Sequence, residues 1–182
     1  MTPPEVPFDL TRIAEVLERH GVLYVTIGGA CGLLHGATEY LTMDVDVLAR
    51  SDDDNRRCLA AALTELGARL DGVITADDLV GNTQWDTDAG PVDVLLTATG
   101  PNETFFVYAD IQPHSIAFTL GGGQTITAAS LDDVIRMKEA TDRFKDHQAL
   151  PELRRLRGDQ HPDLPRDRDP FADFDIGYSA DD

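Results

Sequence analysis

One segment, residues 22–50, constrains the fold more than any other part of the chain. It opens with a continuous apolar run, VLYVTI (Val22–Ile27), which is typical of a strand buried on both faces. Gly28 and Gly29 follow at once and lead into a short apolar helix. A further strand, MDVDVLA (Met43–Ala49), then alternates acidic with apolar residues. The segment is therefore predicted to fold as strand, glycine turn, helix and strand.

Two features of this segment carry chemistry: the glycine pair and the Asp-x-Asp of the second strand. Glycines at a strand-to-helix turn let backbone N–H groups approach a phosphate, where the helix dipole favours anions. Asp44 and Asp46 lie at i and i+2, so both carboxylates point the same way and suit a hard divalent cation. Asp93 interrupts the apolar run PVDVLL and is the candidate third ligand, because an unpaired buried carboxylate is costly. The pattern predicts a metal site beside an anion-binding turn.

The other elements are predicted from apolar periodicity and turn residues. Helices are expected after Asp9 or Thr11, after Ser51 or Asp52, at Glu103–Asp110, from Ser130, and at about His147–Arg157. Two hairpins are expected, one from Thr83 to Ala98 around the turn DAGP and one from His114 to Ser130 around Gly121–Gly123.

Charge excludes one broad class of function. The 182 residues contain 15 Lys and Arg against 33 Asp and Glu, a net charge of −18. Such a chain is not a general nucleic-acid binder, because neutralising phosphates requires Lys and Arg in excess, although a local basic patch for one specific RNA stays open.

Location is predicted from the cysteines and from the apolar runs. Cys31 and Cys58 are too few for a disulfide framework and are expected to be reduced. The first residues lack the features of a signal peptide, and no apolar run approaches the length of about 18 residues that a membrane span needs. We expect a cytoplasmic protein without a membrane partner.

Two blocks of the chain carry a family pattern. The first contains Gly28-Gly29, His35-Gly36, Thr42, Asp44 and Asp46 in that order. The second, SLDDVIRMKEATDRFKDHQALPEL, contains Lys138, Arg143, Lys145 and Asp146. Together they resemble the DNA polymerase β-like nucleotidyltransferase superfamily, in its small prokaryotic branch of abortive-infection and toxin–antitoxin nucleotidyltransferases. The resemblance covers about residues 10–157.

The resemblance implies an α+β fold, with a mixed β-sheet flanked by helices and a small C-terminal helical part. It assigns residues 9–129 to the nucleotidyltransferase core and 130–157 to the helices that complete the active site. Composition predicts the two ends: residues 1–8, with three prolines, would be a flexible lead-in, and 158–182, rich in Asp, an acidic tail.

The resemblance also implies roles for individual residues. Asp44 and Asp46 would bind two Mg²⁺ ions, or Mn²⁺ in their place, with Asp93 as the third ligand. The nucleotide would be bound by Gly28, Gly29, Ala30 and Lys138. The catalytic set would be Asp44, Asp46, Lys138 and Asp146. Asp146 would either orient Lys138 or accept the proton of the acceptor hydroxyl. The alternatives without catalysis are that Asp146 caps the last helix and that Lys138 is a solvated surface lysine.

The implied reaction moves a nucleoside monophosphate from an NTP to an acceptor hydroxyl. The acceptor would be a tRNA 3′ end or a protein hydroxyl, and in the toxin setting a cognate antitoxin would restrain the enzyme. Two alternatives stay open: a small-molecule nucleotidyltransferase of the aminoglycoside-modifying type, and a catalytically degenerate binding protein of the same fold. The chain departs from the family pattern at Tyr40, where relatives have Arg, and at Ala30, where a serine is frequent.

Overall fold

The computed structural model describes residues 7–69 and 72–158. Its helices are α1 (Leu10–Arg19), α2 (Gly28–Leu34), α3 (Asp53–Glu65), α4 (Tyr108–Ile111), α5 (Leu131–Thr141) and α6 (Phe144–Gly158). Its strands are β1 (Tyr24–Ile27), β2 (Val45–Ala49), β3 (Thr83–Thr87), β4 (Gly90–Leu95), β5 (Ala98–Thr99), β6 (Phe105–Phe106), β7 (Ile116–Thr119) and β8 (Thr125–Ala128). The acidic tail beyond residue 158 lies outside the described residues.

A mixed six-stranded sheet forms the centre, in the order β3-β4-β2-β1-β8-β7. The pairs β2–β4 and β1–β8 are parallel and the other pairs are antiparallel, while β5 and β6 form a separate two-stranded sheet. The predicted class, an α+β fold with a mixed sheet flanked by helices, is confirmed. The two predicted hairpins are confirmed as β3–β4 and β7–β8.

The central strands are apolar because helices and loops cover them. Val25, Val45, Val47, Val92 and Val94 are all buried. This burial fixes the register, since a slip by one residue would turn the apolar side chains toward solvent and the carboxylates toward the core.

Helix ends are set by side-chain capping. Asp9 accepts a hydrogen bond from the Arg12 amide at the start of α1, and Asp52 accepts one from the Asn55 amide at the start of α3. Ser130 caps α5 by accepting from the Asp133 amide. These caps confirm the starts that the sequence predicts for the three helices.

Three local predictions are wrong. The segment 103–110 is not one helix: it forms β6 and then the single turn α4, because β6 pairs with β5. The strand predicted to reach Ala98 ends at Leu95 as β4, since Asn82 binds the backbone of Leu96 and Thr97 instead. Phe8, which falls within the predicted lead-in, is fully buried in the core.

The last helix begins at Phe144, three residues before the predicted start at His147. Asp146 lies in its first turn, where its carboxylate accepts from the backbone N–H of Arg143 at 3.3 Å. That contact satisfies an amide at the start of the helix and explains the earlier start. None of the helices in the described part of the chain is both long and apolar enough to cross a membrane.

Candidate active site

A cleft of about 310 Å³ opens where β1 meets α2 and where β2 begins. Its lining includes the predicted residues Gly28, Gly29, Asp44, Asp46, Asp93, Lys138 and Asp146. Both blocks of the family pattern therefore meet in one place. A wider surface hollow of about 690 Å³, between α3 and residues 73–77, contains none of the predicted site residues.

Strand pairing brings two of the carboxylates together. In the parallel pair β2–β4, Asp46 lies directly opposite Asp93. In the antiparallel pair β1–β2, Asp46 lies opposite Ile27, the residue that precedes the glycine pair. Asp44 precedes β2 by one residue and lines the same cleft. The sheet therefore gathers the acidic residues next to the turn.

Negative charge accumulates in this cleft. Burial raises the pKa of Asp46 to about 7, and the charges of Asp44 and Asp93 add to the shift. Burial also raises the pKa of Asp93, against the opposing effect of a 2.9 Å hydrogen bond from Gln84. Burial and like charge therefore disfavour the ionised form of Asp46, although Lys145 and Lys138 act in the opposite direction.

A divalent cation would supply positive charge to this cleft, and three carboxylates are the oxygen ligands that Mg²⁺ and Mn²⁺ accept. The ligand geometry is not preformed: no group of three or more His, Cys, Asp or Glu side chains within residues 7–69 and 72–158 is arranged to hold a metal ion. Asp44 accepts instead from the Thr42 hydroxyl at 3.4 Å, and Asp93 accepts from Gln84. The donor set fits a cation by its chemistry, and coordination requires these side chains to draw together.

The glycine pair has a packing role besides the predicted one. Gly28 has φ +65°, which favours glycine, and a Cβ added there would overlap the Asp46 carboxylate. A Cβ at Gly29 would overlap the Thr42 side chain. Both glycines line the cleft, whereas Ala30 is fully buried and is not part of the lining. The structure therefore does not bring Ala30, a predicted nucleotide-binding residue, to the surface of the cleft.

Lys138 is held by two groups. Its Nζ lies 3.1 Å from Asp146 Oδ1 and 5.6 Å from the centre of the Tyr40 ring, and its side chain is 11% exposed. The Tyr40 hydroxyl in turn donates to the carbonyl of Gly29 at 3.2 Å. Lys138 is thus largely buried, and the predicted alternative of a solvated surface lysine is wrong. Tyr40, a departure from the family pattern, forms part of its support.

Asp146 is only 1% exposed, and both of its oxygens are occupied. Oδ1 accepts from Lys138, and Oδ2 accepts from the Arg143 guanidinium at 3.0 Å. Burial by itself would raise the pKa of Asp146, but the hydrogen bonds from Lys138 and Arg143 outweigh it and lower the pKa. An ionised carboxylate with both oxygens engaged suits the orienting of Lys138 better than the accepting of a proton.

One residue of the site is missed by the sequence analysis. Glu152 of α6 is buried and accepts from the backbone N–H groups of Thr38 and Glu39, in the connection between α2 and β2. In the sequence, the run PELRRLRG resembles an ordinary charged helix face, so no pattern marks this glutamate as buried.

The arginines of α6 are compensated by acids of the same chain. Arg154 pairs with Glu139 at 2.6 Å, Arg155 with Glu39 at 3.4 Å, and Arg157 with Asp132 at 3.3 Å. A basic surface that a specific RNA would need is therefore largely neutralised on this helix.

Comparison with known proteins finds neither a family model nor a curated protein that matches the chain. Among solved structures, it is similar to a candidate nucleotidyltransferase from Thermotoga maritima, at 16% identity and a TM-score of 0.49, covering 83% of this chain and 91% of that one. It is also similar to the antibiotic-resistance factor ANT(2'')-Ia, at 15% identity and a TM-score of 0.47, covering 81% of this chain and 86% of that one.

The raised pKa of Asp46 predicts a pH-dependent stability. The pKa rises from 3.8 in the unfolded chain to about 7 in the folded one, so the folded state binds the extra proton and loses stability as pH rises through this window. In EDTA at pH 8, Asp46→Asn should raise the melting temperature by a few degrees, at about 2–4 °C per kcal/mol for a chain of this size. The gain should shrink toward pH 4.

The matched control is Asp54→Asn, at an exposed position of α3. It should change the melting temperature little and equally at both pH values. A gain for Asp46→Asn that is the same at pH 4 and pH 8 would contradict the electrostatic explanation.

Proposed function

We propose that this protein is a metal-dependent nucleotidyltransferase. It moves a nucleoside monophosphate from an NTP to an acceptor hydroxyl and releases pyrophosphate. One observation carries the proposal: Lys138, held by a buried carboxylate, lines the same cleft as Asp44, Asp46 and Asp93. A cluster of acids facing a held cation is the arrangement that phosphoryl transfer uses, since that reaction depends mainly on positioning and charge compensation.

Each residue has a distinct part in this proposal. Asp44, Asp46 and Asp93 would hold two Mg²⁺ or Mn²⁺ ions, which would supply positive charge to the triphosphate and lower the pKa of the acceptor hydroxyl. Lys138 contacts the triphosphate through N–H groups that Asp146 leaves available. The backbone of Gly28 and Gly29 approaches the phosphates.

The reaction balances without a further reactant. The acceptor oxygen bonds to the α-phosphorus, and the bond from that phosphorus to the bridging oxygen breaks. Pyrophosphate leaves with the electron pair, and the hydroxyl proton passes to a carboxylate of the cleft. Asp146 takes no proton in this scheme, because Lys138 and Arg143 occupy both of its oxygens.

For the acceptor we propose a tRNA 3′ end, with the protein acting in the cytoplasm as the toxin of a toxin–antitoxin pair. Two observations support it: the motif pattern of the sequence, and the exposed cations Arg143 and Lys145 at the cleft. In this proposal residues 9–129 form the catalytic core, and residues 130–157 complete the site by supplying Lys138 and Asp146.

A cationic small molecule of the aminoglycoside type is the second candidate acceptor. It is favoured by the net charge of −18 and by the paired arginines of α6, both of which oppose a polyanion. A degenerate binding protein is disfavoured, because all three carboxylates are retained.

An acceptor assay separates these candidates. The purified protein is incubated with Mg²⁺, each labelled NTP in turn, and either total tRNA or an aminoglycoside. We expect one NTP to transfer its label to tRNA. No transfer is expected when EDTA is present during the incubation. Transfer to the aminoglycoside alone would replace the tRNA proposal, and transfer to neither would count against nucleotidyl transfer to both acceptors.

Replacement of a cleft carboxylate should abolish transfer without unfolding the protein. We expect Asp44→Asn and Asp46→Asn each to reduce turnover by more than about 10²-fold, because each removes a ligand charge from the reacting centre. Circular dichroism should show the native fold in both. Asp54→Asn, which removes an exposed carboxylate of α3, is the control, and near-wild-type turnover in the Asp44 or Asp46 variant would contradict the metal assignment.

Replacement of Lys138 should reduce use of the nucleotide. Lys138→Ala is expected to lower kcat/KM for the NTP by about 10²-fold, as for loss of a preorganised charged contact. Lys138→Arg should restore little, because a planar guanidinium reaches a phosphate in a different geometry from a compact ammonium. Arg154→Ala removes a surface cation of α6 and should leave kcat/KM unchanged; an unchanged value for Lys138→Ala as well would remove this lysine from the site.

A further inference from the structure

The connection between α2 and β2, residues 35–44, carries three groups of the candidate site. Tyr40 lies under Lys138, Thr42 donates to Asp44, and Asp44 itself is a proposed ligand. This connection contains no strand or α-helix in the structure. The backbone ladder of the sheet therefore does not hold these groups in place, and side-chain contacts must do so.

The strongest of those contacts comes from Glu152. Its Oε1 accepts from the backbone N–H of Thr38 at 2.8 Å and from the Thr38 hydroxyl at 3.4 Å, and its Oε2 accepts from the backbone N–H of Glu39 at 2.9 Å. The Glu152 side chain is 1% exposed. Charge-assisted bonds to two successive amides, shielded from water, are stronger than neutral ones.

The same helix supports the connection at two further points. Leu153 is fully buried, and a Cβ added at Gly32 of α2 would lie 3.3 Å from its Cδ2. Arg155 lies 3.6 Å from Glu152 and 3.4 Å from Glu39. The helix α6 therefore contacts α2 and the chain that follows it, while its first turn carries Asp146, the partner of Lys138.

We propose that Glu152 is a positioning residue of the nucleotide site: by binding the amides of Thr38 and Glu39, it holds the connection so that Tyr40 stays against Lys138 and Asp44 stays beside Asp46. The helix α6 then supports both parts of the cleft, the cationic part through Asp146 and the acidic part through Glu152. This inference rests on the proposed function, but the anchoring of the connection can be measured without nucleotide.

Glu152→Gln tests the anchoring. The glutamine amide keeps one acceptor oxygen and places an NH₂ group against the other backbone N–H, so one of the two amide bonds is lost. By hydrogen exchange of the metal-free protein, the amides of Thr38 and Glu39 should exchange about tenfold faster or more, while those of β2 keep their wild-type rates. The control is Glu139→Gln, which removes an exposed carboxylate of α5 paired with Arg154.

Binding of Mn²⁺ together with the α,β-methylene analogue of each NTP in turn, measured at a temperature where all variants are folded, tests the positioning. Glu152→Gln should weaken it by about tenfold, the effect of one lost charge-assisted bond, and Glu139→Gln should not. If Glu152→Gln exchanges faster but binds the nucleotide with unchanged affinity, Glu152 is a structural anchor only and the proposal is overturned. Unchanged exchange of the Thr38 and Glu39 amides would overturn it as well.

Two further outcomes are defined. If the wild-type protein binds neither Mn²⁺ nor the nucleotide, the proposed function fails and the positioning role with it, although the exchange result still reports whether the connection is anchored. If Glu152→Gln does not fold, Glu152→Asp retains the charge on a shorter side chain and should show the same two effects; wild-type exchange and affinity in that variant would overturn the proposal.

Discussion

The parallel pairing of β2 with β4 is the constraint on which the rest of the site depends. It places Asp46 opposite Asp93, and the antiparallel pairing of β2 with β1 brings the glycine turn to the same end of the sheet. Because side chains alternate along a strand, the register that buries Val45 and Val47 is the same one that turns Asp46 toward the cleft. The same strand register therefore both buries the apolar core and exposes the Asp46 carboxylate to the cleft.

The charged side chains of the cleft form two groups, a group of carboxylates around Asp46 and an ion-paired group around Asp146. Around Asp46, burial raises the pKa of the carboxyl group, and the charges of Asp44 and Asp93 add to the shift against the opposing effect of Lys145 and Lys138. Around Asp146 the neighbouring groups are Lys138 and Arg143, and its pKa falls. Removing one member of such a buried pair would leave the other without compensation, so Lys138 and Asp146 depend on each other. A divalent cation from solution can neutralise the carboxylates around Asp46, whereas Lys138 and Arg143 are already paired with Asp146.

Much of this arrangement could be predicted from local pattern. The apolar run before Gly28, the alternation around Asp46 and the capping residue Ser130 predict elements that the structure contains, because each depends on neighbours in the chain. The predictions fail where a specific side-chain or strand contact binds the backbone in a way that apolar periodicity does not show. Residues 103–110 pair partly with β5, and the last helix starts early because Asp146 satisfies the amide of Arg143.

The sequence by itself determined the identity of the chemical groups: three carboxylates, a lysine and a glycine pair, in an order typical of one superfamily. Only the tertiary structure decided which groups are buried and what each one contacts. Lys138 and Glu152 are both charged residues on helices, yet Lys138 lies between Tyr40 and Asp146, and Glu152 binds the backbone at Thr38 and Glu39. Such contacts join residues far apart in the chain, and their strength comes from the exclusion of water, a property of the packed structure that local pattern does not encode.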